Sequence, residues 1–494
     1  MADQQSPLAS QRAKQAGNAP PKGGYFPMGY KEGFSQWWAS ITPAAAEHKV
    51  LSFCPYLLQA PTQMQTGVAT GSNADSKDDT SHGTSLSKTG SRDDPYGPRK
   101  WHSSLVKLAG KDRALNEFSV ERVGENVENT LVMLHGYGAG LGFFYKNFEP
   151  LSRDKGWKLY ALDLLGMGRS SRPPFKIHAK DRQGKITEAE NWFVDSLEEW
   201  RKERNIDRFT LLGHSMGGYM AVAYALKYPG RLNKLILASP VGIPEDPYAT
   251  HADMPEPEES TLASEITQDQ SQSASKGDNN NFLNSKSNGT VDTDGKPKRK
   301  PLPKWLTYLW DANISPFAFV RWSGPLGPRL VSGWTSRRFS QMPKEEADAL
   351  HDYAYTLFKQ RGSGEFALAY ILAPGAFARS PLIRRIGGVG RQWIPREGEQ
   401  REKENGLPVV MMYGENDWMD VNGGYEALDK MRAAKNKLLE QATEEEKQRD
   451  QGSAKVLVVK GAGHHVYLDG WEEFNSMIRD EMKDVEGREK ARRT

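Results

Sequence analysis

The sequence predicts an α/β fold, a mostly parallel sheet with helices on both faces. Three observations predict it. Short apolar runs at 130–134, 157–164, 209–212, 234–239, 407–413 and 455–460 have the length of buried strands. Amphipathic or alanine-rich stretches of helical length separate most of them, and such alternation favours parallel strands joined by crossover helices. One run, FTLLGHSMGGYMAVAYALKY (209–228), passes through a turn of small residues straight into an alanine-rich stretch that Pro229 closes.

In chain order, residues 1–24 are polar and are expected to be disordered. Residues 25–62 crowd together Tyr25, Phe26, Tyr30, Phe34, Trp37 and Trp38. Such a segment either docks on the core or lies in a membrane interface, where tryptophan and tyrosine are favoured. Residues 63–98 return to Ser, Asp, Gly and Asn and read as a flexible linker. The first part of the core, 99–244, opens with alternating stretches from Trp101 that suggest an antiparallel pair ahead of the strand at 130–134. A helix follows at 188–204, with Trp192, Val194, Leu197 and Trp200 near one face.

Residues 245–300 hold too few apolar side chains to offset their ordering entropy and read as a disordered insertion. The cluster Lys296, Lys298, Arg299 and Lys300 then leads into Trp305, Tyr308, Leu309 and Trp310. Cations beside tryptophans suit an anionic bilayer surface, although a solvated linker joined to an ordinary amphipathic helix is the favoured reading. Residues 301–395 form a helical lid, broken at 362–364, and 391–405 a charged loop. The second part of the core, 396–494, carries the strands at 407–413 and 455–460, a charged helix at 425–449 between them, and a final amphipathic helix after Asp469.

Composition narrows the function. Lys and Arg total 66 against 63 Asp and Glu, a net charge of +3, so nothing points to nucleic acid. The single cysteine, Cys54, excludes an intrachain disulfide and a CxxC zinc site. The stretch 209–226 is free of charged residues but carries His214 and two adjacent glycines, so strand plus helix explains it better than a membrane span. The N-terminus lacks an apolar signal-peptide core. Its Arg12, Lys14, Lys22 and Lys31 against Asp3 permit an organellar transit signal.

The turn Gly213-His214-Ser215-Met216-Gly217 is a G-x-S-x-G elbow, which exposes a serine hydroxyl at the N-terminus of the following helix. Ser215 is the candidate nucleophile, and it needs a base held in the right tautomer by an acid. The strand at 407–413 ends in Gly414-Glu415-Asn416-Asp417, with Asp420 three residues on. The last strand ends in Gly463-His464-His465. Strand ends on one edge of a parallel sheet converge. Asp417 is therefore the candidate acid, with Asp420 second and Glu415 third, and His464 the candidate base ahead of His465. The N–H groups of Met216 and of Tyr137, in His135-Gly136-Tyr137-Gly138, are the candidate oxyanion donors. Asp469 offers two readings. With His464 it makes the His-x4-Asp spacing associated with glycerolipid acyltransferases, and with Glu472 it makes a cap for the last helix, which is the favoured reading. Asp163, ahead of the GMGRS turn, reads as structural.

These residues resemble the α/β-hydrolase superfamily, in which Ser, Asp and His follow in that chain order. The resemblance is to the lipid-acting branch that includes the N-acylphosphatidylethanolamine lipases, the lipase co-activators of lipid droplets and the fungal mitochondrial cardiolipin-specific deacylases. It is carried by the Trp-rich entry ending in VLSFCPYL, the elbow GHSMGG, and GAGHHVYLD followed by GWEEFN. The polar insertions and HHVYLD bring the chain nearest to the deacylases. The resemblance implies a membrane-associated serine hydrolase that removes a fatty acyl chain from a glycerophospholipid, cardiolipin first, with no metal and no organic cofactor. It implies an anionic membrane surface as partner and a peripheral address on the mitochondrial inner membrane, or alternatively the cytoplasm or a lipid droplet. Two other functions stand beside it: lysophosphatidic acid acyl transfer using His464 and Asp469, and regulation of a separate lipase. In the co-activators the nucleophile position is not serine, so Ser215 favours catalysis.

Overall fold

A computed structural model describes residues 26–57, 94–245, 315–373, 377–395 and 401–493. Eight strands make one sheet in the order β1-β2-β4-β3-β5-β6-β11-β12. They are β1 (Arg99–Lys107), β2 (Ala114–Arg122), β3 (Asn129–Leu134), β4 (Trp157–Leu162), β5 (Phe209–His214), β6 (Leu232–Ala238), β11 (Pro408–Gly414) and β12 (Ser453–Val459). The two N-terminal strands pair antiparallel, β2 joins β4 antiparallel, and all other pairings are parallel.

The central strands are buried on both faces, which is why their sequences read as continuous apolar runs. Val132, Leu211, Leu235 and Met411 pack on one side, with Phe193, Trp200 and Tyr219. Their neighbours Met133, Leu212, Ile236 and Met412 pack on the other, with Phe148, Tyr353 and Phe474. Helices therefore cover both faces. Two are at the N-terminus, α1 (Tyr30–Ala39) and α2 (Pro43–Leu51), followed by α3 (Tyr145–Leu151), α4 (Arg182–Glu203) and α5 (Met216–Lys227). Helix α4 begins six residues before the expected start at 188, because Asp181 caps it by accepting the Gly184 N–H at 2.8 Å.

The two helices of the aromatic N-terminal segment differ in how deeply they are buried. Helix α2 docks: Glu47 is buried and accepts from Asn116 Nδ2 at 2.9 Å and Arg169 Nη1 at 2.5 Å. Helix α1 packs its Gly33 side inward, and leaves Tyr30, Phe34 and Trp38 exposed, Trp38 at 74%. Only the end of the expected linker is described, and Asp94 there is ordered rather than flexible. Its carboxylate is buried against Arg99, 2.7 Å from Nε, and an ion pair so enclosed fixes the chain. The remainder of the linker lies outside the described residues, as do the insertion from 246 and the basic and Trp-rich stretch up to 314.

Ahead of β11 the expected lid holds three helices, α6 (Pro316–Trp322), α7 (Gly327–Arg338) and α8 (Lys344–Phe358). Beyond Phe358 it departs from the helical expectation. The one-turn helix α9 (Leu368–Ile371) leads into the two-residue strands β7 (Leu372–Ala373) and β8 (Phe377–Ala378), then 3-10 turns, then β9 (Trp393–Pro395). The expected charged loop is in part a hairpin, β9 pairing with β10 (Arg401–Lys403). Glycines and prolines punctuate this half too densely for a long helix. The charged helix is two, α10 (Val421–Glu440) and α11 (Glu444–Arg449), the second begun by a Thr443/Glu446 capping box. The chain ends in α12 (Val466–Asp469) and α13 (Trp471–Arg493). Among the described residues no helix is long and apolar enough to cross a membrane.

Candidate active site

Ser215 sits between β5 and α5 with φ 52° and ψ −117°, a left-handed backbone that a non-glycine residue adopts only where the surroundings force it. Two glycines supply that force by close packing. A Cβ on Gly217 would stand 2.6 Å from the Leu134 carbonyl oxygen and 2.7 Å from that of His135, and a Cβ on Gly213 would collide with the Gly217 carbonyl. Thus β3 and its loop press against the elbow. Gly136 approaches just as closely, since a Cβ there would lie 3.0 Å from the Ser215 Cβ. The Met216 N–H is the first of helix α5, and Tyr137 follows Gly136, so both expected oxyanion donors belong to segments wrapped around Ser215.

The loop bearing Tyr137 is fixed from below. His135 donates from Nδ1 to the Gly136 carbonyl at 2.7 Å and accepts the Leu164 N–H at Nε2, 3.1 Å away, which defines its tautomer. Burial holds His135 below the usual histidine range, so the ring stays neutral. Asp163, buried, accepts from Leu141 N at 2.7 Å, Asn116 Nδ2 at 2.8 Å and Arg169 N at 2.8 Å, a structural hub for the loops around the site.

His464 leaves the end of β12 and is brought to the elbow by the residue before the nucleophile. His214 Nε2 lies 3.0 Å from the His464 carbonyl oxygen, and the two imidazole centroids are 4.8 Å apart. Trp418 also lies against the His464 ring, with centroids 4.7 Å apart. Asp417 Oδ1 is 3.1 Å from His464 Nδ1. The Asp417 carboxylate also accepts the Met419 and Gly414 N–H groups, at 3.0 and 3.3 Å. Asp420 instead caps α10, accepting the Asn422 N–H at 2.9 Å, and Glu415 accepts the Gly461 N–H at 2.8 Å. The structure thus brings Ser215, His464 and Asp417 to one strand edge and gives Asp420 and Glu415 other work.

Asp469 takes neither expected part. Its carboxylate lies 2.9 Å from Arg338 Nη1 and accepts the Gly463 N–H at 3.3 Å, and α13 starts beyond it at Trp471. Arg338 also donates to His465 Nδ1 at 3.1 Å. A cation from the lid outcompetes the local capping pattern, and the His-x4-Asp pair does not meet at the imidazole of His464.

One residue at the site was missed in the sequence. Ser239, at the end of β6 with φ 48°, places its hydroxyl 2.6 Å from His464 Nδ1 and 2.5 Å from Asp417 Oδ2. A polar residue closing an apolar strand next to β11 was the available signal. With Nδ1–H donating to Ser239 Oγ and to Asp417, and the Ser239 O–H donating to Asp417, every proton has an acceptor.

Aromatic rings roof the site. Tyr137 stacks on Phe317 of α6 at 5.1 Å, and Phe317 on Phe358 of α8 at 4.5 Å. Ser215 is 2% exposed and His464 4%. Among the described residues no group of three His, Cys, Asp or Glu side chains is arranged to hold a metal ion.

An eight-stranded, mostly parallel sheet with a serine on a strand–helix elbow and a histidine after the last strand defines the class of α/β hydrolases. Residues 129–470 match the model of the alpha/beta hydrolase fold family, and the chain belongs to that family, in its lipid-acting branch. It is 33% identical over 355 residues to a 1-acylglycerol-3-phosphate O-acyltransferase of Arabidopsis thaliana, covering 71% of this chain and 65% of that protein. The figures for the 1-acylglycerol-3-phosphate O-acyltransferase ABHD5 of Mus musculus are 33%, 71% and 76%, and for the (lyso)-N-acylphosphatidylethanolamine lipase of Homo sapiens 30%, 72% and 80%. The chain thus spans just under two thirds of the length of the plant relative.

Proposed function

We propose that Ser215, His464 and Asp417 act as a catalytic triad that removes a fatty acyl chain from a glycerophospholipid. Ser215 Oγ attacks the ester carbonyl while His464 Nε2 takes its proton, and the oxyanion is held by the Met216 and Tyr137 N–H groups. His464 then protonates the departing lipid alkoxide, and water, deprotonated by the same ring, releases the fatty acid from the acyl-enzyme. The observation that carries this reading is the clamp on His464 Nδ1 by Asp417 and Ser239, which leaves Nε2 as the basic nitrogen. The exposed aromatics Tyr30, Phe34, Trp38, Phe319 and Trp322 support attachment to an anionic membrane surface. Cardiolipin as the preferred lipid, and with it the mitochondrial inner membrane, rests on the sequence resemblance.

The activities for which the plant and mammalian relatives are named favour a second reading, in which a lysophosphatidic acid hydroxyl replaces water at the acyl-enzyme. Acyl release from cardiolipin, phosphatidylethanolamine, N-acylphosphatidylethanolamine and triacylglycerol in mixed vesicles, with wild type beside Ser215→Ala, tests both. Serine-dependent release of fatty acid supports the hydrolase. No release without lysophosphatidic acid, and serine-dependent phosphatidic acid formation with it, replaces hydrolysis by transfer. Activity surviving in Ser215→Ala sinks the triad.

A further inference from the structure

Outside the site, a cleft of about 510 Å³ opens between α1 and the lid, lined by Trp37, Trp38, Tyr355, Arg321, Lys359 and Arg361. Its walls are aromatic and its charges are all positive. Arg321 is already matched, 2.7 Å from the Glu365 carboxylate. Lys359 and Arg361 form no ion pair among the described residues. The Lys359 ammonium lies 5.3 Å from the centroid of the Tyr355 ring, and burial pulls its pKa below the usual lysine range. Behind Arg361 stands a fourth cation, Arg172, whose guanidinium donates to the Gly166 carbonyl at 2.7 Å and the Gly168 carbonyl at 2.9 Å. Burial, opposed by the Glu365 and Asp163 carboxylates and reinforced by Arg321 and Arg361, brings its pKa down to about 10. Four cations thus stand in or behind the cleft against two carboxylates, Glu365 and Asp163, an excess of positive charge in a partly dry cleft that an anion would relieve.

The cleft also has a route to the chemistry. Lys359 follows Phe358, whose ring stacks on Phe317, which in turn stacks on Tyr137 of the oxyanion loop. Arg321 lies one turn along α6 from Phe317. A group held in the cleft therefore sits on the outer side of the aromatic roof.

We propose that this cleft is a binding site for a phosphate ester, with Lys359 and Arg361 as its charge partners and Trp37, Trp38 and Tyr355 as apolar walls for the groups attached to it. Only the source of the phosphate, a glycerophospholipid headgroup, rests on the function proposed above. Binding at the cleft does not require the triad.

The test is titration calorimetry on the full chain carrying Ser215→Ala, so that nothing turns over. Its ligands are short-chain phosphatidic acid below its micelle concentration, glycerol 3-phosphate, and short-chain diacylglycerol. Saturable binding of phosphatidic acid, weakened about 10-fold by Lys359→Gln, is the expected result. If glycerol 3-phosphate binds as tightly as phosphatidic acid, the site takes a free phosphate ester; if it binds much more weakly, a lipid headgroup. Diacylglycerol binding as tightly as phosphatidic acid, or Lys359→Gln binding like its parent, overturns the proposal. A second measurement needs no variant at this cleft: acetylation of Lys359 by an N-hydroxysuccinimide ester, read by mass spectrometry, should be suppressed by phosphatidic acid, and unchanged labelling at saturation overturns it too. Failure here beside serine-dependent acyl release would remove the cleft and leave the triad standing.

Discussion

The Ser239 hydroxyl lies 2.6 Å from Nδ1 of His464, closer than the Asp417 carboxylate at 3.1 Å. In the proposed triad the imidazolium formed during acyl transfer is therefore received by two oxygens, one of them on a different strand. Replacing Ser239 by alanine should lower kcat on a soluble ester by about 10- to 100-fold with KM little changed, as expected for a lost hydrogen bond to a charged group. Because Ser239 Oγ accepts from Nδ1–H, it favours the charged ring, so its loss should also move the acid limb of kcat/KM to lower pH. A variant with wild-type kcat and an unmoved limb would show the contact to be structural only.

Asp417 and Asp420 are separable by the same assay. Asp417→Asn keeps the shape of the carboxylate but removes the charge opposite His464, and should cost about 10⁴-fold in kcat. Asp420→Asn retains an oxygen for the Asn422 N–H and the helix cap, and should leave kcat within about 3-fold, since Asn caps as well as Asp. The reverse ranking would exchange their roles.

Gly217→Ala tests the packing that creates the elbow. The added Cβ would stand 2.6 Å from one backbone oxygen and 2.7 Å from another, neither of which can swing aside. A loss of about 3 kcal/mol in urea unfolding, together with lost activity, is expected. Wild-type stability would mean that β3 gives way easily.

Acid should unfold this protein through its buried rings. Burial depresses the pKa of both His135 and His214 below 6.5, and both side chains are enclosed. Below about pH 6.5 the unfolded chain binds protons that the folded one does not, so stability present at neutral pH falls as pH drops. Each ring contributes a slope of about 1.4 kcal/mol per pH unit, which persists until its folded pKa is reached. Urea midpoints at pH 7.5 and 5.5 measure it, and His135→Asn should flatten the difference. Equal midpoints at the two pH values would contradict it.

Much of this architecture can be read from the chain because parallel sheets impose long-range order through local signs. The run FTLL, the small residues around Ser215 and the polar exits after Tyr413 and Lys460 announce strand ends, and strand ends of one edge meet. What escaped depends on neighbours remote in sequence. Ser239 reaches Asp417 only because β6 lies beside β11, and a capping pattern at Asp469 says nothing of Arg338, which arrives from the lid. Glu47 likewise is buried against Asn116 and Arg169, which lie 69 and 122 residues further along the chain.

The bond between His214 and the carbonyl of His464 spans 250 residues of chain. A nascent polypeptide carries its nucleophile long before its proposed base exists, and a fragment ending before β12 would hold an elbow with no proton acceptor. Chain topology thus acts as a timer: the strand that leads into His464 must be made, and must find its place, before the proposed triad can be complete.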